Sequence, residues 1–498
     1  MGIRTRSENE AWARTVLDRE WKMLIGGELV EAQEGETFGS YSPATGEFLA
    51  AVPYAKREDV DHAVEAAKAA FPAWSKTPVL ERVRMVRELI ALLKEKAEIL
   101  GLIDAVDSGN PVTAMIGDVH LAAAMLDYQC NAAMEVKGAT IPSTSQHWHI
   151  TRREPYGVVG RIIAYNHPIL FAAAKIGAPV LTGNTLVLKV PDQTPLAPLL
   201  LAEYIKDIFP PGVVNIISGD GLTTGDALVR HRDVKRIALI GSVQTGQRIL
   251  RSAAEVGIKH VSLELGGKNP MIVFPDADLD KAVEGAANGM NFSWSQGQSC
   301  GSTTRLFLHQ AIHDEFVEKL RRRVEGIRIG QPLDPETEMG CLVSEAQFDK
   351  VNAYIQLGRD EGAECITGGG RPHGAEFEKG YFVRPTIFTQ VTNDMRIAQE
   401  EIFGPVLSVI PWSDEEEVIR LANATDYGLT AAVWTQNINK AFSSIDQLQA
   451  GFTWINGSAR HFIGVPFSGH KSSGLDSEEG IEELISFTQN KTVNVMIG

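Results

Sequence analysis

The sequence predicts an α/β fold made of two successive units, and two observations carry that reading. From Gly157 onward, short β-branched runs alternate with helical stretches: Val158 to Ala164, Thr185 to Val190, Val213 to Ile217, Arg236 to Ile240 and His260 to Leu265. A second series follows Cys300, with strand-like Thr304 to Leu308, Phe382 to Phe388, Val406 to Pro411, Thr430 to Thr435 and Phe452 to Ile455. Runs that are apolar throughout, spaced by helix-length segments, are the pattern of parallel strands covered on both faces.

Ahead of the first series, Val79, Val83, Val86, Ile90, Leu93, Ala97 and Leu100 recur in steps of three and four, with Arg and Glu between them. That spacing predicts an amphipathic helix over Thr77 to Leu100. Thr77 reads as its N-cap and Pro78 as its first residue, because a hydroxyl oxygen accepts an orphan backbone proton and proline has none to lose. Two further stretches, Lys137 to Glu154 and Lys491 to Met496, are polar and β-prone and belong to neither series, so they read as edge strands in need of a partner.

The 498 residues are 44% hydrophobic and 22% charged, a globular composition with length for several domains. With 63 acidic against 47 basic side chains the net charge is −16, which sets the overall field against nucleic acid and anionic membranes as partners. Cys130, Cys300, Cys341 and Cys365 are far apart with no C-x-x-C pair, so neither a disulfide framework nor a thiolate metal site is expected. A reducing, cytoplasmic setting fits them. The start, Met1 to Arg6, lacks a signal-peptide core and a myristoylation motif, and the most apolar stretch, Ile162 to Val190, is broken by Asn166, Lys175, Asn184 and Lys189. No membrane association is expected.

The segment with most chemical content is Asn291-Phe292-Ser293-Trp294-Ser295-Gln296-Gly297-Gln298-Ser299-Cys300, which places one thiol just beyond a Gly-containing turn. A lone cysteine is more often a buried structural thiol, but its small and polar neighbours suit an exposed turn better than a core. Upstream, Leu263-Glu264-Leu265-Gly266-Gly267-Lys268-Asn269-Pro270 ends an apolar strand on one carboxylate followed by a glycine pair that permits close backbone approach. Taken alone, Glu264 reads more readily as a solvated strand-end charge. Asn166 in Ala164-Tyr165-Asn166-His167-Pro168 falls between a predicted strand and a helix, where it is either a turn residue or an amide donor. Gly241-Ser242-Val243-Gln244-Thr245-Gly246 follows a strand and opens a helix, a place where a phosphate can meet the positive helix end, although Gly219-Asp220-Gly221 is nearly as good a glycine turn.

Together these motifs resemble the aldehyde dehydrogenase superfamily, in the family's order and over nearly the whole chain, from Leu24-Ile25-Gly26-Gly27 to Pro466-Phe467-Ser468-Gly469-His470-Lys471-Ser472-Ser473-Gly474. The resemblance implies a Rossmann-type cofactor domain, an α/β catalytic domain and a β oligomerisation arm. By residue number these are 1–136 with 157–265, then 266–475, and 137–156 with 476–498. A homodimer or homotetramer follows from the arm.

The resemblance also assigns residues. Cys300 would be the nucleophile toward an aldehyde carbonyl, Glu264 the base that activates hydrolytic water, Asn166 an oxyanion donor, and Lys175 the family lysine near the site. A glutamate at position 264 is the mark of hydrolytic rather than CoA-acylating members. The cofactor would be held by Gly241, Ser242 and Gly246 at the pyrophosphate, by Lys189 and Asp192 at the adenosine ribose, and by Glu401 and Phe403 around the nicotinamide ribose. The plainer readings of Glu401 and Phe403 are a loop acid and a core aromatic. Two departures stand out: the usual Pro-Trp-Asn-Phe-Pro is here Ala164-Tyr165-Asn166-His167-Pro168, and the usual Lys-Pro-Ser/Ala-Glu is Lys189-Val190-Pro191-Asp192. An acid at position 192 repels a 2′-phosphate and favours NAD over NADP, but its shorter side chain weakens that exclusion.

No metal is called for. The aldehyde tunnel would be lined by Phe171, Ala174, Trp294, Ser299, Gly301, His461 and Phe467, which suits an aromatic or medium-chain aldehyde. His461 with its neighbour Arg460 leaves open a semialdehyde acid held by its distal carboxylate. A catalytically silent, NAD-binding structural protein is the reading from a different class.

Overall fold

The computed structural model describes residues 4–497, so Met1 to Ile3 of the leader reading, and the last residue of the arm call, lie outside the described residues. The first sheet has eight strands in the spatial order Glu28–Val30, Met23–Ile25, Val214–Ile217, Thr185–Lys189, Val158–Ile162, Val234–Ile240, His260–Glu264 and Gly474–Leu475. The five central strands are all parallel, and the additions at both edges are antiparallel. Along the chain, Val158–Ile162, Thr185–Lys189 and Val214–Ile217 build outward one way, and Val234–Ile240 with His260–Glu264 the other. The order therefore reverses between Val158–Ile162 and Val234–Ile240. Crossover loops part there, leaving a crevice beyond the carboxyl ends of the strands.

The second sheet runs Glu364–Thr367, Thr386–Thr389, Val406–Trp412, Arg305–His309, Pro270–Val273, Thr430–Trp434, Phe452–Ile455, and only its first pair is antiparallel. The interior strand Pro270–Val273 escapes the sequence reading, because it lies directly after the Leu263 to Pro270 motif and has only four residues. Phe382 to Phe388 shortens to Thr386–Thr389, since Pro385 has no N–H to give a ladder.

The amphipathic helix spans Val79–Ser108, longer than expected, and its cap is Pro78 rather than Thr77. The Thr77 hydroxyl instead donates to the Ala73 carbonyl of the preceding helix at 3.3 Å. The helix continues past Leu100 because Gly101 lets it lie against the helix Val112–Ala132: a Cβ there would sit 2.6 Å from the Ile116 nitrogen. That extension buries Asp104 and Asp107. Asp107 accepts from the Leu196 N–H at 2.8 Å and from Ser40 Oγ at 2.5 Å, and burial pushes its carboxyl up to about 7.

The two orphan segments find each other. Thr488–Met496 pairs antiparallel with His147–Pro155, and Thr140–Ile141 completes a three-stranded sheet. The expected arm from residue 476 needs correction, because residues 476–487 pack back on the first unit through the helix Ile481–Ser486. The reason is electrostatic. Arg161, on a central strand, pairs with Glu478 at 2.6 Å and Glu483 at 2.9 Å, and Lys175 reaches Glu478 at 2.8 Å. These cations are buried, so the carboxylates that neutralise them are held inside as well.

Burial opposes ionisation of Glu483, yet Lys175 and Arg161 hold its carboxyl down at about 2. A folded-state value below the unfolded one means the stabilisation is present above the ordinary carboxylate range and is lost as pH falls toward about 2. Glu483→Ala should cost about 3–5 kcal/mol at neutral pH, since it leaves buried cations without a partner. Urea unfolding at stepped pH checks this: the gap between wild type and variant should close as the pH is lowered from about 5.

Candidate active site

The sheet reversal fixes where the groove lies. After Val158–Ile162 the chain runs through Ile163 to His167 into the helix Pro168–Leu181, and after Val234–Ile240 it turns at Gly241 into the helix Val243–Val256. Ser242 caps that second helix, its hydroxyl accepting from the Thr245 N–H at 3.2 Å. Between the two loops opens a cavity of about 340 Å³ whose lining includes Lys189, Asp192, Gly241, Ser242, Glu401 and Phe403. Gly246 does not line it: this glycine lies under the helix, where a Cβ would sit 3.0 Å from Leu265, so its smallness serves helix-on-strand packing. Gly219 and Gly221 are not in the lining either.

The groove has the chemistry to hold a dinucleotide. Lys189 is 3% exposed and burial lowers its ammonium's pKa, with Asp192 and Asp220 opposing; no hydrogen bond within the described residues uses its Nζ. Such a lysine needs an acceptor from outside the chain. Glu401 takes the Gly267 N–H at 2.9 Å on one oxygen. Phe403, in the left-handed region at φ 58°, meets Tyr165 edge-on at 5.8 Å. Gln347 and Lys350 also line the groove, and both were missed in the sequence. Gln347 is fixed by donating to the Ile402 carbonyl at 3.0 Å and to that of Phe403, while Lys350 faces Glu401 and Glu400.

A second, tighter cavity of about 80 Å³ adjoins the groove. All seven tunnel residues, Phe171, Ala174, Trp294, Ser299, Gly301, His461 and Phe467, line it, as do Lys175, Glu478 and Glu479. Four residues border both spaces: Asn166, Ile240, Glu264 and Cys300. The thiol thus stands at the junction of the two.

The loop carrying Cys300 is not the exposed turn its composition suggests. Ser295, Gln296, Gly297 and Gln298 are buried, and only Ser299 and Cys300 are partly open. Their polar groups are consumed internally: Gln298 takes the Val343 N–H at 3.2 Å on its side chain and the Asn166 amide at 2.9 Å on its carbonyl. Asn269, whose signal lay inside the motif that follows Glu264, donates to the carbonyls of Cys300 at 2.7 Å and Ser302 at 2.8 Å. Gly267 is the reason these strands come so close, since a Cβ there would collide with the Cys300 carbonyl.

Glu264 ends its strand as expected and is 7% exposed, with Oε1 lacking any partner. Burial pushes its carboxyl up to about 8. Burial also raises the Cys300 thiol well above its usual range, and the neighbouring Glu264 charge adds to this. Lys175 is pulled down by burial but held charged by Glu478 and Glu483. Behind the cavity, Asp118 accepts from His167 Nδ1 at 2.7 Å and from the Trp294 indole at 3.0 Å.

A parallel sheet with a nucleotide-sized crevice at its reversal, opening onto a buried cysteine and a second cavity, defines the class as a dinucleotide-dependent oxidoreductase. The profile of the aldehyde dehydrogenase family matches residues 29–493. Aldehyde dehydrogenase tropH of Talaromyces stipitatus is 47% identical over 464 residues, covering 92% of this chain and 90% of that protein. An aldehyde dehydrogenase of Aspergillus niger is 42% identical over 96% of this chain and 95% of its own length. Among solved structures, the NAD+ complex of an aldehyde dehydrogenase from Bacillus cereus superposes with a TM-score of 0.94 at 41% identity, covering 100% of both chains. P. syringae AldA, an indole-3-acetaldehyde dehydrogenase in complex with NAD+ and IAA, gives 0.96 at 36% identity, over 99% of this chain and 100% of its own. The chain belongs to the aldehyde dehydrogenase family, and it is an NAD(P)-dependent aldehyde dehydrogenase.

The raised Glu264 carboxyl has a stability consequence. Between the ordinary carboxylate range and about 8 the folded chain binds a proton that the unfolded chain has released, so this group's contribution falls as pH rises through that window. Glu264→Gln should therefore gain thermal stability relative to wild type progressively from about pH 5 to about pH 9. Scanning calorimetry at stepped pH reads this, and a difference in Tm that stays flat refutes the assignment.

Proposed function

We propose that the enzyme oxidises a neutral aromatic or medium-chain aldehyde to its acid through a covalent thioester on Cys300, released by water. The observation that carries this is the shared border: Cys300, Glu264 and Asn166 all face both the groove and the tight cavity. In the first step the Cys300 sulfur, as thiolate, bonds to the carbonyl carbon and the carbonyl oxygen becomes an oxyanion. Asn166, whose amide has a second N–H beyond the one given to Gln298, and the Cys300 backbone N–H are the donors for that oxyanion. Bound in the groove, NAD+ supplies the hydride acceptor. Loss of hydride from the carbon leaves a thioester on Cys300. Glu264 then takes a proton from water, whose oxygen attacks the thioester carbon and expels the thiolate. A carboxyl whose pKa is pushed up to about 8 is a far better base for this than an ordinary glutamate. Its position makes the hydrolytic route, rather than transfer to CoA, the reading we adopt.

Lys189, Asp192, Gly241 and Ser242 are the residues assigned to the adenosine side of NAD, and Glu401, Phe403, Gln347 and Lys350 to its nicotinamide side. The apolar cavity walls support an aromatic or extended aldehyde. Its charged groups speak against a carboxylate substrate: Lys175 is committed to Glu478, His461 to Glu479 at 3.0 Å, and Arg460 lies over Phe462 outside the lining. The intact Cys300, Glu264 and Asn166 set favours turnover over a silent structural role.

We further assign residues 1–136 with 157–265 to cofactor binding, 266–475 to catalysis and the paired strands to an oligomerisation arm. Exposed Trp148, Ile150, Val495 and Met496 on those strands support a homodimer or homotetramer. Four unpaired thiols suit a reducing, cytoplasmic setting. No helix among the described residues is long and apolar enough to cross a membrane, and no His/Cys/Asp/Glu cluster among them is arranged for a metal.

Cys300→Ala should lower NADH formation from an aromatic aldehyde by at least about 10³-fold. Glu264→Gln should give a burst of NADH equal to the active sites, then a steady rate slower by about 10²–10⁴-fold. Stopped-flow absorbance separates the two, and an unchanged steady rate removes Glu264 from the role. For the cofactor, kcat/KM should favour NAD over NADP, and Asp192→Ser should shift the ratio toward NADP by about tenfold or more through loss of one carboxylate–phosphate repulsion.

A further inference from the structure

His167 stands where the motif this chain resembles has a phenylalanine, and it is supported from behind. His167 is 6% exposed and lines the tight cavity beside Asn166. Its Nδ1 is bound at 2.7 Å to Asp118, a fully buried acid on the helix Val112–Ala132. The other Asp118 oxygen takes the indole N–H of Trp294 at 3.0 Å, and an indole can only donate, so Asp118 acts as an acceptor there. The neighbouring Asp104 carboxyl is raised by burial, with Asp118 adding to it, and Asp104 accepts the Ile169 N–H at 3.2 Å. A carboxylate that takes the Nδ1 proton in a hydrogen bond fixes the imidazole tautomer and leaves Nε2 as an acceptor. His167 Nε2 has no partner among the described residues, and it is not among the sealed, unpartnered polar atoms of the interior. The His167 ring lines the cavity. Two aromatic rings hold it in place: Trp294 edge-on at 4.7 Å and Phe171 at 5.9 Å.

We propose that His167, held by Asp118, is a specificity-determining residue whose Nε2 accepts a hydrogen bond from a hydroxyl or ring N–H on the aromatic aldehyde. This deepens the proposed function and rests on it. An unpaired acceptor in an apolar cavity discriminates against a substrate that cannot donate, because binding such a substrate strips the nitrogen of water and returns nothing. Asp118 is a positioning residue: it touches no substrate and acts by orienting both His167 and Trp294. The pairing is repeated across the cavity, where His461 binds Glu479 through Nδ1 and lies against Phe467 at 4.8 Å, so His461 is the natural comparison.

The test measures kcat/KM with NAD+ for phenylacetaldehyde, its ring-hydroxylated isomers and its ring-methoxylated isomers. The methylene spacer leaves the phenol near its ordinary pKa of about 10, so the hydroxyl stays neutral. For wild type, the best hydroxylated isomer should exceed phenylacetaldehyde by about tenfold, the scale of one hydrogen bond, while its methoxy counterpart, which cannot donate, gains nothing. In His167→Phe that ratio should fall to about one, and in Asp118→Asn it should fall at least threefold, mainly through KM of the hydroxylated aldehyde. His461→Phe should keep the ratio. Each ratio compares two substrates on one protein, so a partly misfolded variant does not move it. Equal wild-type values across the series, an equal gain from methoxy, or a ratio that survives His167→Phe but not His461→Phe overturns the assignment of His167. No NADH from any member would instead sink the aromatic-aldehyde reading, and this proposal with it.

Discussion

One unfavourable contact organises this molecule: a desolvated carboxyl, Glu264, set against a desolvated thiol, Cys300. Two acids that share a dry space resist losing both protons, because each charge raises the cost of the other. Burial alone would make both groups inert. What makes the pair usable is that they are needed at different moments, the sulfur as nucleophile first and the carboxylate as base afterwards. A carboxyl whose pKa is pushed up to about 8 holds its proton at neutral pH for an appreciable fraction of the time, and so relieves the sulfur of a neighbouring charge when the sulfur must ionise.

The fold can bring these groups together because each belongs to a different sheet. Glu264 is the last residue of a strand in the first sheet, and Cys300 sits on the loop that enters the strand Arg305–His309 of the second. The short link through Gly266 and Gly267 carries the chain from one sheet to the other. A Cβ at Gly267 would strike the Cys300 carbonyl, so the approach depends on glycine there, while one at Gly266 would displace the Glu401 carboxylate. Asn269 then ties the far side of the loop to both Cys300 and the strand Thr430–Trp434, whose first N–H it accepts at 2.9 Å. The left-handed Asn291 and Gln296, at φ 53° and 55°, show that the loop is held in a costly conformation by these surroundings.

Much of this was legible from residues alone, and the reasons differ by type of feature. Apolar runs with β-branched residues gave the five parallel strands of the first sheet to within a residue or two, since they are buried on both faces, whereas its three short antiparallel edge strands were not read. Positions that depend on local backbone chemistry were legible too: a helix opens in the Gly241 to Gly246 loop, and Glu264 ends its strand. What could not be read were partners distant in sequence. Asp118 lies mid-helix with nothing around it to suggest a bond to residues 49 positions away and further, and Gln347 and Lys350 sit on a helix face like many others. The C-terminal region misled for the same reason. Residues 476–487 are acidic and read as part of an arm, whereas buried Arg161 and Lys175 draw them inward to neutralise charge the linear sequence does not show. Gly246 resembled a ligand-binding glycine but is small because Leu265 lies against it.

The polar wall behind the substrate cavity carries a cost that needs a reason. A family-typical phenylalanine at position 167 would pack against Phe171 and Trp294 without requiring any charge inside the protein. Histidine is held by Asp118, and Asp118 in turn is satisfied at zero exposure by two donors, the His167 ring and the Trp294 indole. Two polar side chains, His167 and Asp118, are thus buried for one imidazole orientation, where one apolar ring would fill the space. Trp294 turns the expense to a second use, because the same carboxylate fixes the indole plane that forms the cavity wall. A wall locked in this way cannot slide to accommodate ligands of varied shape, as a purely apolar lining can. It exchanges breadth for orientation, and the gain falls to ligands that offer Nε2 the proton it lacks.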